Sequence, residues 1–115
     1  MTTRIYRIVT DGEWRAAQEA GFYEGSALDR RDGFLHFSTA AQAAETADKH
    51  YAGKNDLLLL CVDAAALTAP LKWEASRGGR LFPHLYGALA VGAVRRAYPL
   101  PLGPGGRFIF PELEP

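Results

Sequence analysis

The chain reads as an α+β domain of five or six strands and two helices, with both helices in the N-terminal half. Two observations predict this class. Helical periodicity occurs only before residue 53, in two segments that each open on a capping signal. Beyond residue 53 the chain is a series of short β-type runs broken by Gly and Pro, without the alternation of strand and helix that builds parallel sheets. A length of 115 residues suits one domain, residues 1–115, with a single buried core. Apolar residues at 48% and charged residues at 23% give the usual balance of a globular protein.

Each element has its own local signal. "RIYRIVT" (Arg4 to Thr10) sets Arg4 and Arg7 among β-formers and predicts the first strand. Thr10 and Glu13 then match a capping box, opening a helix with Trp14, Ala17 and Ala20 on adjacent turns and a stop at Gly21. "FYEGSALDRRDG" (Phe22 to Gly33) reads as a polar connection, long enough to be functional. It leads into a buried strand, "FLHFS". Thr39 with Gln42 matches a second capping box, for a helix from Ala40 to about Tyr51 with an alanine stripe and a stop at Gly53. "DLLLLCVD" is the central-strand candidate, because a continuous apolar run implies burial on both faces. "AAALTAP" makes a short helical turn, and "LKWEAS" and "RLFPHLYG" make two further strands around "SRGG". Pro83 predicts an edge or irregular position for the second of these. "GAVRRAYPL" and a closing "RFIFP" complete the count.

Composition narrows the function classes. Thirteen basic and thirteen acidic side chains cancel, so no global field favours nucleic acid or an anionic membrane, and neither is an expected partner. Cys61 is the only cysteine, which excludes an internal disulfide or a multi-cysteine zinc site. Its apolar run suits a packing cysteine better than a nucleophile. Neither a secretory leader nor a membrane-span-length segment is visible, so a cytoplasmic protein is expected. The three histidines lack HxxxH or HExxH spacing, and no metal site is expected. GxSxG and GxGxxG are also absent.

Two constellations carry chemistry. In "DGFLHFST", His36 and Ser38 share one side of a strand, roughly 7 Å apart. The strand runs into the start of the second helix at Thr39, so imidazole, hydroxyls and helix-end N–H groups are expected to converge on an anion-friendly spot. The plain alternative is a satisfied buried histidine beside a capping serine. In "KWEASRGGRLFPHLYG", Glu74, Arg77, Arg80, His84 and Tyr86 fall within thirteen residues. If "FPHLY" is extended, Phe82, His84 and Tyr86 share a face, and the arginines flanking Gly78 and Gly79 can meet a phosphate or carboxylate. Here the plain alternative is a solvated turn with a surface salt bridge to Glu74. His50, near the end of the second helix, is accounted for by the helix dipole.

Together, "IYRIVTDGEW", "DGFLHFSTAAQAAETADKHYAG", "DLLLLCVD", "LKWEASRGGRLFPHLYGAL" and "VRRAYPLPL" resemble the bacterial family called domain of unknown function 952. That resemblance implies a small two-sheet ADP-ribosylation-like fold, related to the RNA 2′-phosphotransferases, whose "VHLS"-like strand corresponds to Leu35, His36, Phe37 and Ser38. It implies a nucleotide-sized cleft for a small molecule, with NAD as candidate cofactor and ADP-ribosyl- or phospho-transfer as candidate activity. His36, Glu74 and His84 are the expected catalytic residues, and Ser38, Thr39, Arg77, Arg80 and Tyr86 the expected ligand contacts. Glu74 is the carboxylate nominated to orient a ribose hydroxyl. One departure from the superfamily stands out: the first strand offers Tyr6 and Arg7 where a ribose-binding residue is usual. The alternatives are a non-catalytic small-metabolite-binding module and a structural or partner-interaction domain.

Overall fold

The computed structural model describes residues 3–115, apart from the side chain of Arg77. The fold is α+β, with three helices and three small sheets among the described residues. Strand β1 (Arg4–Thr10) runs straight into α1 (Asp11–Ala20). The Thr10 hydroxyl accepts from the Glu13 amide at 3.1 Å, while Glu13 accepts from the Thr10 amide at 2.8 Å. Gly21 ends the helix in the left-handed region, as its position just past the last helical turn predicts. Strand β2 (Phe22–Tyr23), helix α2 (Ala27–Asp32) and strand β3 (Leu35–His36) come next. Helix α3 (Ala40–His50) opens on the Thr39–Gln42 box.

Strand β4 (Leu57–Asp63) takes the centre of an antiparallel β1-β4-β8 sheet, with β8 spanning Val94–Pro99. Strands β5 (Leu71–Ala75) and β6 (Leu81–Leu85) join β3 in a second sheet, ordered β3-β6-β5. Strand β7 (Leu89–Ala90) pairs with β2 in a two-stranded ribbon.

Strands β1 and β4 of the first sheet are buried on both faces, as the leucine run requires, while β8 is largely exposed. Ile5, Val9, Leu60 and Val62 pack with Trp14 and Ala17 of α1 and with Leu85 of the second sheet. Tyr6, Ile8, Leu59 and Cys61 pack on the other face against Ala43 and Ala47, whose small side chains let α3 lie close. Cys61 is buried and unpaired. No helix among the described residues is long and apolar enough to cross a membrane.

Five sequence expectations need correction. There are eight strands among the described residues instead of five or six, because Phe22–Tyr23 and Leu89–Ala90 also pair. There are three helices instead of two, because part of the supposed connection folds as α2. There are three sheets instead of two, because β2 and β7 pair separately. The closing "RFIFP" forms only one isolated bridge, Leu102 to Phe108. Pro83 sits in a central strand, not at an edge. The Pro83 carbonyl accepts from the Phe37 N–H at 3.0 Å, so its backbone polar groups face the β3 side. Its missing N–H therefore falls just past the end of two-residue β3, and the β5 ladder loses nothing.

Helix α2 depends on a glycine before it. Gly25 has φ +102°, and an added Cβ would lie 2.7 Å from both the Asp29 Cβ and a Leu35 methyl. Gly25→Ala combines backbone strain with overpacking and is expected to cost about 2–4 kcal/mol. Urea denaturation measures this, and a change within about 0.5 kcal/mol, the scale of an ordinary surface substitution, would contradict it.

Candidate functional site

The register between β3 and β6 creates the site. His36 pairs with His84, so the two imidazoles lie on one face with ring centroids 5.5 Å apart. Two residues before His36, Phe34 returns to that face and stacks on His84 at 4.1 Å, with its ring 5.2 Å from Tyr86. In β5, Glu74 pairs with Phe82 and Lys72 with His84, which brings the Glu74 carboxylate diagonally alongside His84.

Glu74 Oε1 lies 2.8 Å from His84 Nδ1 and accepts from the Tyr86 hydroxyl at 2.7 Å. The His84 and then the Tyr86 hydrogen bond hold the Glu74 carboxyl below its ordinary range, while the bond to Glu74 pushes the Tyr86 phenol up. An ionised carboxylate only accepts, so Nδ1 is the donor, and in the neutral ring Nε2 is left as a bare acceptor. His84 is 3% exposed, and Nε2 is buried without a hydrogen-bond partner among the described residues. Satisfied polar atoms are the rule in protein interiors, which sets this atom of a cleft-lining residue apart.

His36 is held from the other side by α2. Its Nδ1 lies 2.7 Å from Asp29 Oδ1 and its Nε2 3.0 Å from Asp32 Oδ2. Both ring nitrogens are thus committed to carboxylates. Asp29 is the hub of a buried network. It receives Arg7 at 2.7 and 2.8 Å, the His36 amide at 3.0 Å, and the Ser26 amide and hydroxyl at 2.6 and 2.8 Å. Burial works to raise the Asp29 carboxyl, but the hydrogen bonds from His36, Arg7 and the Ser26 amide outweigh it and hold that carboxyl far below the ordinary range. Arg7 also donates to the Tyr23 hydroxyl at 2.7 Å and to the His36 carbonyl at 3.1 Å.

A cleft of about 730 Å³ opens between α2, α3 and the two larger sheets. That volume lies within the roughly 300–1,000 Å³ of small-molecule sites. His36, His84 and Ser38 line it, together with Asp29, Asp32 and Lys49. Ser38 lies 2.9 Å from the Thr46 hydroxyl and bridges by backbone to Tyr6. At the mouth, the Arg31 hydrogen bond holds the Asp32 carboxyl below its ordinary range, aided by His36.

The expected site residues therefore separate. His36, His84 and Ser38 share the cleft. Glu74 sits behind His84 and reaches the cleft only through it. Tyr86 binds Glu74 and carries Lys72 over its ring at 4.7 Å, so it is part of the support and does not line the cleft. Thr39 uses its hydroxyl to cap α3, and it is the flank and last turn of that helix, at Thr46, Lys49 and His50, that face the cleft. Arg80 pairs with Glu45 on the surface at 2.7 Å. Arg77's side chain lies outside the described residues. Sequence reasoning missed Phe34, Asp29, Asp32 and the inward role of Arg7. A signal for Asp29 was present: Ser26 and Asp29 have capping-box spacing, with a stop at Gly33.

The family model for "Protein of unknown function (DUF952)" matches residues 8–97. The chain belongs to that family. It is similar to protein CC0527 from Caulobacter crescentus, whose crystal structure is 50% identical over 93% of this chain and 94% of that one, with a TM-score of 0.88. The solution NMR structure of CC0527 matches at 50% identity over 90% of each chain, with a TM-score of 0.81. No curated protein matches the chain.

Proposed function

We propose that this family member is an ADP-ribosyltransferase-like protein that binds a nucleotide-sized, hydroxyl-bearing ligand of the NAD or ADP-ribose class in the cleft. The observation that carries this reading is the buried, unpartnered Nε2 of His84, a ring whose Nδ1 is already engaged by Glu74. A ribose hydroxyl supplies the missing donor, and the cleft volume suits a ligand of that size. In turnover, an acceptor hydroxyl takes the place of the ribose hydroxyl at Nε2, which accepts its proton as that oxygen bonds to the anomeric carbon of NAD. The glycosidic bond breaks, and nicotinamide leaves with its electron pair. Glu74 then acts as a positioning residue for His84, while the His36 clasp keeps α2 against the cleft.

A second reading, a non-catalytic small-metabolite-binding module, is favoured by a different observation. No carboxylate described in the cleft is left to face developing positive charge. Asp29 is committed to Arg7 and His36, Asp32 to Arg31 and His36, and Glu74 stands behind His84.

Calorimetric titration and thermal shift with NAD and with ADP-ribose test the shared claim. Saturable binding with a raised Tm is expected, and no heat and no shift with either would overturn it. Chromatographic assay for released nicotinamide separates the two readings. Under the first, Glu74→Gln lowers turnover by about tenfold or more while binding changes little. Under the second, no nicotinamide appears and Glu74→Gln leaves binding unchanged.

A further inference from the structure

Away from the cleft, on the α3-side face of the β1-β4-β8 sheet, a recess of about 230 Å³ collects three guanidinium groups, from Arg4, Arg95 and Arg96. Their convergence has a backbone cause. Cys61 of β4 pairs with Arg96 of β8, but the next residue, Val62, pairs with Val94. Arg95 is therefore the extra residue of a β-bulge. In a regular strand, consecutive side chains point to opposite faces, whereas a bulge re-aims one of them. Both arginines consequently line the same recess, opposite Arg4 of β1.

The guanidinium groups are poorly matched by the acids around them. Arg4 Nη1 is buried and makes no hydrogen bond among the described residues. Asp63 lies beside the recess, 3.4 Å from Arg4 and 3.7 Å from Arg95, so one carboxylate is spread between two cations. Glu114 is the one carboxylate among the described residues that line the recess. Its Oε2 stands 3.5 Å from Arg4 Nε on a side chain that is 77% exposed. The Glu114 backbone is better anchored than its side chain, because its carbonyl accepts from the buried Tyr6 hydroxyl at 2.6 Å.

We propose that this recess is a second binding site, for a phosphate-class dianion, in which Arg4, Arg95 and Arg96 donate to the phosphate oxygens and the Glu114 carboxylate is a weak internal occupant that the ligand displaces. Guanidinium groups match phosphate oxygens in pairs, and Arg4 Nη1, whose 3.4 Å contact to Asp63 is an ion pair without a hydrogen bond, has capacity for a further acceptor. The volume falls below the roughly 300–1,000 Å³ of nucleotide-sized sites, so the recess fits an anion with its water or a small phosphomonoester. The recess shares Tyr6 with the lining of the cleft, and the proposal does not rest on the function proposed there.

Titration of the full chain with inorganic phosphate at constant ionic strength, monitored by backbone amide NMR shifts, tests this. Saturable shifts are expected around Arg4, Arg95, Arg96 and Glu114. The double variant Arg95→Ala/Arg96→Ala removes two charge-assisted donors and is expected to weaken binding by about tenfold or more. Arg95 is half-exposed and Arg96 exposed, so the double variant retains the fold, which its amide spectrum verifies. Glu114→Gln removes the competing carboxylate and is expected to tighten binding by about two- to fivefold. Non-saturable shifts would overturn the proposal. So would shifts centred on Lys49 in the cleft, or affinity unchanged in the double variant.

Discussion

Asp29→Asn will destabilise the protein by about 3–5 kcal/mol, because it leaves the Arg7 guanidinium buried without its counter-charge. Arg7 is 6% exposed and Asp29 2%, so water does not replace the lost partner. Asparagine keeps the shape of the carboxylate but cannot accept from Arg7, Ser26 and His36 at once. The same pair sets an acid limit. A carboxyl held far below its ordinary value stays ionised in the folded chain, while the unfolded chain takes up a proton near pH 4. Its contribution is therefore whole above about pH 5 and declines as the pH falls through about 4 and below. Urea midpoints at about pH 7 and about pH 3, on either side of that range, measure both effects. The wild type is expected to lose more stability between them than Asp29→Asn does. Equal losses would show that the network contributes little.

His84→Asn will weaken nucleotide-class binding by about tenfold to a hundredfold, the scale of one buried hydrogen bond lost inside a site. The shorter side chain keeps a polar group near the Nδ1 position, where Glu74 waits, and deletes Nε2. His84→Gln reaches the Nε2 position instead, so it is expected to recover part of the affinity. A merely structural histidine would not show this order. Calorimetry with ADP-ribose, beside a thermal melt of each free variant, separates the two cases. Equal affinities for wild type, Asn and Gln would remove His84 from the site.

Local chemistry was the legible layer of the sequence. Both capping boxes at Thr10 and Thr39, the stop at Gly21 and the central placement of "LLLLCVD" depend on neighbours within four residues or on an unbroken apolar run. Such signals survive without any knowledge of what packs against them. The same logic had a blind spot. Ser26, Asp29 and Gly33 mark α2 as clearly as their counterparts mark α1, but the charged run "LDRRD" lacks an apolar stripe and read as part of a polar connection. Pro83 failed for a related reason. Its cost depends on which neighbour its missing N–H faces, and that is a property of strand order.

The site divides along the same line. The sequence placed His36 and Ser38 on one side of a strand, because side chains alternate with a period of two whatever the tertiary context. It also singled out Glu74, His84 and Tyr86 by their density. It could not place His36 opposite His84, set Glu74 behind the ring instead of in the cleft, or turn Arg7 inward to Asp29, twenty-two residues away. Those relations come from inter-strand register and from the packing of α2 against β3. A shift of one residue in that register would send the same side chains to opposite faces. Which chemical groups the chain carries was therefore readable residue by residue. Which nitrogen is left without a hydrogen-bond partner was decided only when the strands paired.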